Sequence, residues 1–141
     1  MLFRSGLALT TSWVGGSVGW DFFRGDIADF NVWDGTLTSA EVASIAASAP
    51  TASVANLTAS LAGGTDYLDV GTDASLTLTD EYTLEAWIRP TGNGIGGASS
   101  ILSREGEYLL AWWQGDQTIR YAVGNAGWVW INTGYTTPLG V

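Results

Sequence analysis

The chain has 141 residues, 46% of them hydrophobic, with a mean hydropathy of +0.17 and a formal charge of -9 from 14 acidic side chains against 5 arginines. That is enough apolar material for one packed domain and argues against disorder, while the lack of clustered cations makes nucleic acid a poor partner. His, Cys and Lys are absent, so the usual nucleophile–base pairs and the thiolate and imidazole metal sites have no donors, and acid–base chemistry is left to carboxylates.

No apolar run reaches the roughly 18 residues that a membrane-spanning helix needs. The missing cysteines leave the redox compartment open, because many surface proteins also lack disulfides. Leu2-Phe3-Arg4-Ser5 at the start suits an incomplete gene fragment. On that expectation the absence of a leader is silent about location.

From Leu7 to Asp21 the chain is rich in Gly, Ser and Trp, and GLALTTSW and GGSVGW predict a short strand, a loop and the beginning of a second strand. The run GDIADFNVWD, Gly25 to Asp34, alternates, with Ala28, Phe30 and Val32 on one face and Ile27, Asp29, Asn31 and Trp33 on the other. Asp34-Gly35 then turns the chain. Thr38 with Glu41 forms a capping box, and Val42 and Ile45 share one side of a short Ala/Ser-rich helix that stops before Pro50.

PTASVANLTASLAGG, Pro50 to Gly64, reads either as a linker or as a strand in which Leu57, Ala59 and Leu61 alternate; a linker running into a strand near Asn56 fits both features. Asn56-Leu57-Thr58 is also a glycosylation acceptor pattern, though such triplets arise often by chance. TDYLDV and SLTLTD are two short alternating segments. In TLEAWIRP, Thr83 to Pro90, Leu84, Ala86 and Ile88 alternate with Thr83, Glu85, Trp87 and Arg89, which predicts a half-buried strand ended by Pro90. Ile101–Arg104, Glu107–Trp113, Thr118–Val123 and Trp128–Thr133 are four more strands separated by Gly, Asp and Asn turns. Strands recurring every 8–12 residues or so predict an all-β sandwich or barrel.

With these elements in place, GTDYLDVGTDASLTLTDEYTLEAWIRPTG followed by ILSREGEYLLAWW and IRYAVG resembles the first half of a laminin G-like domain, over roughly residues 54–141. The resemblance implies an all-β fold, a concanavalin A-like jelly-roll β-sandwich with one short helix. FFRGDIADFNVWDGTLTSAEVASI, residues 22–45, resembles the last strand and closing helix of the same family. The expected division is therefore 1–50 as the end of a laminin G-like unit, 51–62 as an Ala/Ser/Thr-rich linker and 63–141 as the first strands of a unit. Three arrangements account for that order: a piece of a tandem array, a circular permutant, or two parts that complement each other within or between chains. In the last case an unpaired sheet edge is an aggregation hazard that a partner strand removes, and head-to-tail donation builds a fibre.

Eight tryptophans are far more than an ordinary domain carries. Trp113, Trp128, Trp130 and Trp87 are candidates for contact with carbohydrate, since flat aromatic faces stack on sugar rings, or for interface anchors; the same indoles would otherwise fill a core. In YLLAWW, Tyr108, Leu110 and Trp112 oppose Leu109, Ala111 and Trp113, and Trp128 and Trp130 oppose Val129 and Ile131. Strands apolar on both faces predict burial on both, which favours assembly or a covered concave side.

Asp66, Asp69 and Asp73 are hard oxygen donors close together in loop-rich sequence, and related domains often bind calcium; solvated turn residues are the competing reading. Asp26 and Asp29 are weaker candidates, and Arg24-Gly25-Asp26 spells an integrin-read tripeptide that coincidence explains. Glucanases of this jelly roll use three carboxylates on one strand face, whereas the turn REGEY offers only Glu105 and Glu107. The leading expectation is a non-catalytic module, extracellular or at the cell surface, for adhesion or recognition of glycans or other surface proteins, and a homo-oligomer or polymer through its sheet edges. The alternatives are a subunit of an extracellular filament built by strand complementation and a fragment of a polysaccharide hydrolase.

Overall fold

The computed structural model describes residues 12–17, 21–47, 58–78, 80–124 and 127–140. Asn56, Trp20 and the GLALT run lie outside them. The strands are β1 Ser12–Val14, β2 Arg24–Asp34, β3 Thr58–Ala62, β4 Leu68–Gly71, β5 Tyr82–Pro90, β6 Ala98–Arg104, β7 Tyr108–Trp113, β8 Thr118–Gly124 and β9 Trp128–Thr136, with helix α1 at Ser39–Ala47. They form two antiparallel sheets, a six-stranded one in the order β4-β1-β6-β7-β8-β9 and a three-stranded one in the order β3-β2-β5. The all-β jelly-roll sandwich with one short helix is therefore present.

The sheets close on Val14, Phe23, Ile27, Leu61, Ile101, Leu102 and Trp112, with Leu84, Ala86 and Ile88 of β5 packed against them. Apolar burial of this kind is the main stabilising contribution. Trp112 is 0% exposed, and its indole N–H donates to the Thr137 carbonyl at 3.0 Å, so the large ring is buried without an orphaned donor. Arg104, also buried, spreads its guanidinium over three partners: Glu107 at 3.0 Å, Ser12 Oγ at 3.0 Å and Thr77 Oγ1 at 2.7 Å. A charge taken out of water is tolerated only with such full pairing.

The capping box forms as the sequence predicts. Glu41 accepts from the Thr38 backbone N–H at 2.7 Å, and the Glu41 N–H donates to Thr38 Oγ1 at 3.3 Å. Two local readings are corrected. Asp29 has a φ of 44°, and the β2–β5 register shifts between Ala28 and Asn31. This bulge inserts a residue, so Ile27 and Val32, opposite Ile88 and Leu84, share the inner face although an uninterrupted alternation separates them. The described residues of SLTLTD form no strand; Asp73 accepts from the Ser75 N–H at 2.8 Å and caps a 3-10 turn at Ala74–Leu76. A short side chain that bonds its own backbone outcompetes the ladder there.

β2 requires glycine at its start. A Cβ on Gly25 would lie 2.2 Å from the Arg89 carbonyl oxygen, so only a bare backbone lets β2 and β5 approach there.

Candidate functional site

Alternation and register place Leu109, Ala111 and Trp113 of β7, Arg120 and Ala122 of β8, and Trp128 and Trp130 of β9 on the outward face of the six-stranded sheet. Leu109, Ala111 and Ala122 are at most 2% exposed, yet among the described residues no second sheet lies over them. What covers them is Trp113, Trp128 and Trp130, which pack on this floor of small side chains together with Ala98. Ala122 stands opposite Trp130 and Gly124 opposite Trp128, so the floor is low where the rings lie. The two-sided burial expected of these strands is met in β7, where the chain's own indoles cover this side, and not in β9, which buries none of its residues and leaves Val129 48% exposed.

The cluster has an internal order. Trp113 and Trp130 meet edge to face, with centroids 5.4 Å apart and planes at 72°. Arg120 sits 4.2 Å above the Trp113 ring and is held there by Asp116, at 2.6 Å. Asp116 also accepts from Thr118 Oγ1 at 2.6 Å, and the bonds from Thr118 and Arg120 hold its carboxyl below the usual carboxylate range. Trp113 thus has one face taken by Arg120 and serves as a buttress. Trp128 and Trp130 are the half-buried rings left beside it.

Trp87 is not part of this surface. It projects from the outer side of the three-stranded sheet and lines an apolar groove between β5 and α1 with Val42, Ile45, Leu84 and Ala86. Near it Trp33 donates its indole N–H to Glu85 at 3.1 Å.

The three aspartates proposed for calcium are not gathered either. Asp66 accepts from the Ala62 N–H at 3.0 Å, Asp69 from Gly71 at 2.8 Å and Asp73 from Ser75 at 2.8 Å, each closing its own turn. Among the described residues no group of three or more His, Cys, Asp or Glu side chains is placed to hold a metal ion. Arg24-Gly25-Asp26 lies within β2 between β3 and β5, with Asp26 paired to Arg89, so it is a ladder segment and not a loop tip. Glu105 and Glu107 both sit in the β6–β7 turn; Glu107 is bonded to Arg104, and burial pushes the Glu105 carboxyl up.

The residues that sequence reasoning missed are Arg120 and Asp116. The signal was there, because Thr118, Arg120 and Ala122 alternate with Ile119, Tyr121 and Val123, and period 2 puts Arg120 on the side of the outward tryptophans. Among the described residues no helix is long and apolar enough to cross a membrane. No curated protein and no solved structure matches the chain. Residues 62–141 match the family described as the concanavalin A-like lectin/glucanases superfamily, and the chain accordingly belongs to its laminin G-like members.

Proposed function

We infer that the chain is a non-catalytic recognition module of the extracellular space that binds carbohydrate on the outward face of its six-stranded sheet. The observation that supports this reading is the gathering of Trp113, Trp128 and Trp130 over a floor of Ala and Leu, on a face that no second sheet of the described residues covers. Indoles there leave apolar rings at the surface, suited to the C–H faces of pyranoses. Arg120 and Asn132, opposite one another in the β8–β9 register, border them with hydrogen-bonding groups for hydroxyls. Trp128 and Trp130 stack on the ligand, while Trp113 and Arg120 hold Trp130 in place.

The carboxylates argue against hydrolysis. Retaining chemistry needs an acid and a nucleophile about 5 Å apart in a cleft, whereas Glu105 and Glu107 share a turn and Glu107 is committed to Arg104. The test is a glycan array followed by titration of the best ligand. Trp130→Ala is expected to weaken binding by about tenfold or more, equivalent to about 1.4 kcal/mol. Unchanged binding in that variant would remove this face from the site.

A further inference from the structure

The strand order divides the work unevenly along the chain. Among the described residues β3 and β5 have no sheet neighbour except β2, and β4 reaches the six-stranded sheet only through β1. Residues 58–140 therefore complete neither sheet without residues 12–34. The family match begins at residue 62 and contains neither of those two strands. β2 is bonded on both sides, to β3 from Arg24–Ala62 through Ala28–Thr58 and to β5 from Gly25–Pro90 through Asp34–Tyr82. Val14, Phe23 and Ile27, at most 1% exposed, carry the same segment into the core. β1 and β2 fill a two-sided slot.

The described part of the connection, residues 35–47, is lightly packed. Gly35 is bonded to Glu81, just before β5, and Leu37 to Thr83 within it. Beyond them α1 buries none of its nine residues, and Val42 is 50% exposed. A helix this short has little stability of its own without a packed face. The contacts that seat residues 12–34 are the same whichever copy of the chain supplies them. Only the connector distinguishes self from neighbour, and such links give effective concentrations on the order of millimolar.

We propose that residues 12–34 are an exchangeable strand pair that seats in the slot of a second copy of this chain, with α1 as the hinge. Reciprocal exchange closes a dimer, and donation onward makes an open head-to-tail chain. The edges completed are those of β3, β4, β5 and β6, so an exchanged assembly keeps every ladder bond of the single chain. This proposal does not depend on what the tryptophan face binds.

The chain has no cysteine of its own, which makes a thiol test clean. Asp26 and Ser60 are opposite one another in the β2–β3 register, and their side chains are hydrogen-bonded. Asp26→Cys and Ser60→Cys variants of the full chain are mixed in equal amounts in denaturant, refolded together across a range of concentrations and oxidised. Exchange predicts disulfide-linked pairs of unlike variants, about tenfold in excess over like pairs and rising with concentration. The double variant in one chain is the control for the pairing itself. The proposal is overturned if the double variant closes within monomers while unlike pairs never form. It is also overturned if like and unlike pairs are equally frequent, or if the double variant fails to close at all.

Discussion

Trp112 and Trp113 are neighbours on one strand and have opposite fates. Trp112 points between the sheets, is 0% exposed and has its N–H bonded to Thr137. Trp113 points outward, keeps part of its surface, and is covered on one side by Arg120 and met edge-on by Trp130. A period of 2 is the whole difference between them. The count of tryptophans therefore does not locate a site; the side of the sheet does.

That contrast predicts a graded set of effects. Trp112→Ala should cost about 3–5 kcal/mol, because it removes a fully enclosed ring and leaves a cavity. Urea or thermal unfolding reads this directly, and a loss under about 1 kcal/mol would mean that the inner ring is not central to the core. Next comes Tyr108, on the inner side two turns of alternation from Trp112 and 2% exposed, whose O–H donates to the Leu76 carbonyl at 3.1 Å. Burial pushes its phenol up to about 12, opposed by Arg104 and helped by Glu107 and Tyr82. A folded value above the ordinary one of about 10 means that the neutral phenol is favoured in the fold. Its contribution is complete below pH ~10 and is lost as pH rises through about 12, at most about 2–3 kcal/mol in all. Unfolding midpoints taken across that range should fall, and Tyr108→Phe should flatten most of the fall; Tyr82, raised by its own burial, accounts for a remainder.

The smallest stability effect belongs to the outward side. Trp130→Ala uncovers Ala122 but opens no enclosed cavity, so it should cost about 1–2 kcal/mol and leave a folded protein whose far-ultraviolet circular dichroism is unchanged. A loss equal to that of Trp112→Ala would erase the distinction between the two faces.

Much of this arrangement was legible from the residues. TLEAWIRP gave a strand with its faces correctly assigned, because Leu84, Ala86 and Ile88 pack on the core while Trp87 and Arg89 do not. Thr38 and Glu41 marked the helix start, because both partners of a capping box lie within one turn of chain. The faces of β7 and β9 followed from alternation alone. Local chemistry that breaks a period was not legible. The left-handed Asp29 reverses the faces of β2, and Asp73 turns a strand-like run into a 3-10 turn. Long-range placement was hidden as well, since nothing in Trp87 itself says that its strand belongs to the other sheet. Nor does the order of residues say that Ser12, Thr77 and Glu107 converge on Arg104.

The most direct check on the account is a carbohydrate titration followed through the tryptophan indole N–H signals in a nitrogen-proton correlation spectrum. Signals of Trp128 and Trp130 should move with ligand, with a smaller response from Trp113, while those of Trp112, Trp33 and Trp87 stay fixed. Movement centred on Trp87 and Trp33, or a saturating glycan that shifts none of the outward three, would contradict the assignment of recognition to this face.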